Sequence, residues 1–152
     1  MSLAKVARSM NRVAQEQQLD GAPGRRSVFV SYAREDREIA RRFVAWLAAS
    51  GYVPWWDDSI EGGAAFEDRI VRAIDGCLAV AVIWTLRSVG STWVKFEAGQ
   101  GHMRNKLVPL AVAGLDLRHI RPPFSDLHTL VLDDEPRILR TLQTLECGRA
   151  AA

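Results

Sequence analysis

Trp93 and Glu97 stand four residues apart in STWVKFEAGQG, residues 91–101. That is about one helical turn, so an indole and a carboxylate share one helix face. At about 100° per residue, Glu97 falls between Trp93 and Val94, inside an arc that also holds Phe96, Ala98 and Met103. Lys95, Gly99 and His102 lie on the other side. A glutamate that only confers solubility belongs with the second group. A carboxylate held among apolar groups can stabilise positive charge developing on a substrate, and one oriented group of this kind is worth roughly 3–4 kcal/mol. Excluding water strengthens that interaction, while desolvation favours the protonated acid. The other reading of Glu97 is a structural ion pair with Arg104 or Arg34.

Other reactive constellations are missing. His102, His119 and His128 are scattered, and none sits in a nucleophile motif with a serine or cysteine. Asp57 and Asp58 have no further ligands at metal-binding spacing, and no metal site is expected. Cys77 and Cys147 match neither a zinc pattern nor a disulfide framework, so a reducing cytoplasm is the expected location. No G-x-G-x-x-G follows the first strand and no Walker A pattern occurs, so neither redox dinucleotide binding nor P-loop chemistry is supported. A net charge of +2, from 20 basic and 18 acidic residues, argues against a nucleic-acid binder. The apolar runs CLAVAVIW (77–84) and LVPLAVAGL (107–115) are too short to span a bilayer.

The elements that must position Trp93 and Glu97 alternate between strand and helix. Strands are expected at VFVSY (28–32), YVPWW (52–56), CLAVAVIW (77–84), KLVPLAV (106–112) and HTLVL (128–132). Pro54 suits an edge strand, and the continuous CLAVAVIW run suits burial on both faces. The first helix carries Ile39, Phe43, Trp46 and Leu47 on one face and stops at Gly51; the second carries Phe66, Ile70 and Ile74. The third begins at a Ser91 cap and contains the Trp93/Glu97 pair, and the last has Pro136 in its first turn. Five strands alternating with helices predict an α/β fold, a single flavodoxin-like domain. Its parallel sheet has order 2-1-3-4-5 and helices on both faces. Residues 1–26 read as a helical extension, with a thin apolar stripe of Leu3, Val6, Met10 and Val13, and a linker GAPGRR; the domain is placed at 27–147 and a disordered tail at 148–152.

Three segments, VFVSYAREDREIA, WWDDSIEGGAAFEDRI and STWVKFEAG, occur in the order and at the spacing of a TIR domain. Over roughly residues 27–146 the chain resembles a TIR (Toll/interleukin receptor) domain of the bacterial type. Ser31-Tyr32 matches the family's Ser-Tyr box, Asp57 through Gly63 its BB loop, Phe66-Glu67-Asp68 its FED element, and Trp93 to Glu97 its W-x-x-x-E element. The BB loop lacks the Arg-Asp and Pro-Gly of many receptor members, and no late Phe-Trp box is evident. These departures weaken a receptor-adaptor assignment.

The resemblance implies NAD+ nucleosidase activity, cleaving the bond between nicotinamide and ribose to give ADP-ribose or a cyclic form. NAD+ is then a substrate, and no cofactor is implied. The transition state is expected to be oxocarbenium-like. A pyridinium leaving group departs neutral, so no acid is needed and a single carboxylate can suffice. The resemblance makes Glu97 catalytic and Trp93 part of the pocket wall. It places Tyr32 and Arg34 toward the nicotinamide ribose and the pyrophosphate. Asp57 and Gly63 belong to the loop that approaches the substrate, Gly63 permitting close backbone contact, and Phe66 lies at its edge. It also implies self-association through TIR–TIR contacts, and contacts with other TIR proteins. Two other readings stay open: a non-enzymatic TIR–TIR interaction module, and a related N-glycosidic enzyme such as a nucleoside deoxyribosyltransferase.

Overall fold

The computed structural model describes residues 26–56 and 64–150. The N-terminal stripe, nearly all of the linker, and Asp57 through Gly63 lie outside the described residues. The strands are β1 (Ser27–Ser31), β2 (Val53–Trp55), β3 (Ala79–Trp84), β4 (Leu107–Ala111) and β5 (Leu130–Val131). The helices are α1 (Arg37–Ala49), α2 (Ala64–Gly76), α3 (Thr92–Met103) and α4 (Glu135–Ala150). All strand pairs are parallel, in the order β2-β1-β3-β4-β5. This is the expected flavodoxin-like sheet, with Pro54 on an edge strand.

Strand alternation divides the core into two layers. Val28 and Val30 of β1, with Ala79, Ala81 and Ile83 of β3, pack against α1 and against Ile138 and Leu142 of α4. Phe29 and Val80 face the other way, toward Ile70 and Ile74 of α2. Val82 and Trp84 share that second face with Val94 and Ala98 of α3. Each sheet-facing helix stripe follows the 3.6-residue period. In α1 it is Ala40, Phe43, Val44 and Leu47; in α3 it is Val94, Glu97, Ala98 and Gly101. Glu97 thus occupies a core position of its helix.

Two boundaries differ from the sequence expectation for local reasons. The fifth strand is only Leu130–Val131, pairing with Leu110 and Ala111. Val112 donates to Trp84 in β3, while Ala111 accepts from Leu132 on the β5 side. Alternation then points the nitrogen of Pro109 toward β5, where it has no hydrogen to give, so pairing starts only beyond it. The terminal helix, in turn, continues to Ala150, into the segment expected as tail. Met103, expected in the arc of Glu97, is 75% exposed at the end of α3. Its helix ends there, and Asn105 takes a left-handed φ of 56° as the chain turns into β4.

Candidate functional site

In this strand order the chain leaves β1 toward β2 and returns to the other side of β1 as β3. The switch point therefore lies between the carboxyl ends of β1 and β3, the usual ligand crevice of such sheets. Ser31 is the last residue of β1 and has the parity of Phe29, so it points at the α2/α3 layer. Its hydroxyl donates to Oε1 of Glu97 at 3.1 Å. Ser31 is 1% exposed and Glu97 6%.

Neither arginine considered as a partner takes Glu97. Arg104 donates to Asp75 at 2.6 Å and to the side chain of Gln100 at 2.7 Å. Arg34 is exposed in the short 3-10 turn after β1, without an ion pair among the described residues.

Trp93 lies one turn before Glu97, nearer the carboxyl edge of the sheet. It stacks on Phe66 at the start of α2, with centroids 5.5 Å apart and planes at 25°, and touches Phe96 at 5.3 Å. Trp93, Phe66 and Phe96 are half-buried. Phe66 lies three residues after Gly63 in the sequence. Trp93 and Phe66 thus form an aromatic wall beside the acid. Ser91 accepts from the backbone of Val94 at 3.3 Å, the expected cap, and sets where α3 begins. Gly101 brings the helix against the sheet: a Cβ there would lie 2.7 Å from Cβ of Val80.

Tyr32 follows Ser31 and so turns to the opposite face, where it packs with the α1/α4 layer and its ring lies 5.9 Å from that of Trp56. The structure therefore brings Glu97, Trp93 and Phe66 together on one face. Tyr32 and Arg34 leave the same strand end in other directions. Asp57 and Gly63 lie outside the described residues.

Sequence reasoning missed Ser31 as the partner of Glu97, because a box of two residues does not say which points at which helix. It also missed a polar tie across the crevice mouth. Asp36, in the turn after β1, has a side chain only 1% exposed and accepts from Nη1 of Arg87 at 2.9 Å. Thr85 Oγ1 also donates to it, at 2.5 Å. Ser88 supports the loop by accepting from the backbone of Thr85 at 2.7 Å and donating to the carbonyl of Ile83 at 2.8 Å. An acid ahead of a helix reads as a cap; Asp36 makes no side-chain cap bond and faces inward instead. Among the described residues no cluster of ligating side chains could hold a metal, and no helix is long and apolar enough to cross a membrane.

The parallel five-stranded sheet and its switch-point acid define a doubly wound α/β domain. Residues 28–144 match the TIR domain family, and the chain belongs to it. Among solved structures it is similar to a metazoan TIR-STING receptor from C. gigas in complex with 2′,3′-cGAMP. That likeness has 26% identity and a TM-score of 0.61, and covers 78% of this chain but 39% of the receptor's. A second structure of a metazoan TIR-STING receptor from C. gigas gives 24% identity, a TM-score of 0.60 and the same 78% and 39% coverage. The TIR domains of the activated Roq1 resistosome directly recognizing the pathogen effector XopQ give 20% identity and a TM-score of 0.52, covering 79% of this chain and 81% of that one. The last two likenesses speak to the fold alone. The match spans only 39% of the receptor's own length. A search of curated proteins found no match.

Proposed function

We propose that this TIR domain is an NAD+ nucleosidase acting in signalling or defence, with Glu97 as its catalytic carboxylate. The observation that carries the reading is Glu97 itself: an acid at a core position of α3, 6% exposed, held by Ser31 at the switch point. Burying a carboxylate is costly, and Glu97 sits among Val94, Ala98 and Gly101 on the sheet-facing stripe of its helix. The Trp93/Phe66 stack supplies a flat apolar surface beside it, suited to a nicotinamide or ribose face.

In the reaction, the C1′–N bond of NAD+ breaks and its electron pair passes to the pyridinium nitrogen, which leaves neutral. Glu97 offsets positive charge developing on the ribose and accepts hydrogen bonds from its hydroxyls. Water adds to C1′ and releases a proton, giving ADP-ribose; addition by a nucleophilic atom of the adenine instead gives a cyclic product. The family resemblance also assigns substrate contacts to Tyr32, although its ring packs on the α1/α4 side, to Arg34, and to Asp57 and Gly63 of the BB loop. The departures in the BB-loop sequence favour the bacterial type of the family. Cytoplasmic NAD+ and a cytoplasmic site of action go with this reading.

The test is incubation of concentrated protein with NAD+ while nicotinamide release is followed. Wild type should release nicotinamide, most readily when clustered on beads, because TIR–TIR contacts with further copies or other TIR proteins are expected to support activity. Glu97→Ala should lower release by at least about 100-fold, the scale seen when one oriented stabilising group is removed. Full activity in Glu97→Ala would refute the catalytic assignment. Inactivity of clustered wild type would leave a non-enzymatic interaction module. Cleavage of nucleosides in place of NAD+ would indicate the deoxyribosyltransferase-like chemistry.

A further inference from the structure

The tie between Asp36 and Arg87 bridges the two loops that flank the switch point, one after β1 and one after β3. The carboxylate of Asp36 is buried, with its side chain 1% exposed, whereas the side chain of Arg87 is 62% exposed. Nη1 of Arg87 is used on Oδ1 of Asp36, and the Arg87 backbone nitrogen donates to Thr85 Oγ1 at 3.2 Å. The remaining guanidinium donors have no partner among the described residues. The result is an arginine gripped at one corner by a buried acid, with the rest of its planar fork outside.

We propose that Arg87, oriented by Asp36, is an anion-binding residue at the switch point and receives the pyrophosphate of a dinucleotide. The identity of the anion rests on the NAD+ reading; the presence of the site does not. Arginine presents its donors in a rigid fork that matches phosphate oxygens two at a time. A free arginine side chain loses rotational entropy on binding, and a grip on Nη1 removes much of that loss beforehand. Arg34, exposed on the β1 side, places a second guanidinium on the opposite loop. Two cations on two loops suit the two charges of a pyrophosphate. Asp36 acts as a positioning residue, holding Arg87 while Thr85 occupies its other oxygen.

The alternative is that Arg87 only neutralises Asp36. Calorimetric titration of the full chain with ADP-ribose and with inorganic pyrophosphate separates the two. Arg87→Ala should weaken both ligands about tenfold. In turnover, the ratio of kcat/KM for NAD+ to that for nicotinamide riboside, which lacks the pyrophosphate, should fall by a similar factor. Arg87→Gln keeps a donor for Asp36 without the charge, guards against misfolding of the alanine variant, and should show the same loss. Unchanged titrations in the folded variants overturn the proposal, as does an equal fall for both substrates. Wild type that binds neither ligand overturns it too. If wild type binds pyrophosphate but releases no nicotinamide, the NAD+ reading fails and the titrations still decide Arg87.

Discussion

The bond between Ser31 and Glu97 offers a sharp test, because it joins two buried residues from distant parts of the chain. Ser31→Ala removes a donor 3.1 Å from Oε1 of Glu97 and leaves the carboxylate in a site 6% exposed. A hydrogen bond to a charged group contributes about 1.5–3 kcal/mol, and little solvent is present to replace it. For a domain of this length a loss of about 2 kcal/mol lowers Tm by roughly 4–8 °C. Single variants mix this with other costs, so the four-member cycle of wild type, Ser31→Ala, Glu97→Ala and the double variant is the proper measurement. Urea unfolding should give a coupling energy of about 1.5–3 kcal/mol. If nicotinamide release is observed, Ser31→Ala should also lower kcat about tenfold, equivalent to about 1.4 kcal/mol of lost transition-state stabilisation. KM should change less, because the bond orients a charge that matters most at the transition state. A coupling energy below about 0.5 kcal/mol, the level of additive independent sites, would refute the claim that this hydroxyl holds the acid.

Two further perturbations test the packing around the site. Gly101→Ala places a methyl 2.7 Å from Cβ of Val80, forcing α3 off the sheet. Overpacking of about 1–3 kcal/mol is opposed by about 1 kcal/mol of helix propensity, so the urea midpoint should fall modestly. Activity should fall more, because Glu97 lies one turn away on the same helix; Val80→Ala should not rescue, since the clash is with Cβ. Separately, burial and then the Glu146 carboxylate push the Tyr52 hydroxyl up to about 12. A raised folded-state pKa contributes stability that is complete below the unfolded value near 10 and is lost as pH rises through about 12. Wild type should therefore lose stability over that alkaline window in equilibrium unfolding, and Tyr52→Phe should lose much less.

Much of this domain is legible from residue order. The alternation of strand and helix signals specifies a parallel sheet, Pro54 marks an edge, and the stop at Gly51 agrees with its φ of 90°. The arc that enclosed Glu97 is visible because helical period is a property of the chain itself: Val94, Glu97, Ala98 and Gly101 are the buried residues of α3. Met103 escaped that logic, since periodicity says nothing about where a helix runs past the sheet it covers. The length of β5 also escaped, because Pro109 interrupts pairing on one side of its strand only, and which side depends on the neighbour.

The sequence by itself determined the fold class, the helix that carries Trp93 and Glu97, and the side of that helix on which the acid lies. These depend on backbone propensities and on interactions within about one turn, which residue spacing records directly. Only the tertiary structure decided what the acid meets. Glu97 is held by Ser31, 66 residues away, while Arg104 goes to Asp75. Tyr32 faces away from Ser31 because neighbouring strand residues must point oppositely. Asp36 reaches Thr85 and Arg87 because the order β2-β1-β3 sets the loops after β1 and β3 side by side. Hydrogen bonds reach about 3 Å, and only folding brings residues so far apart in sequence within that distance.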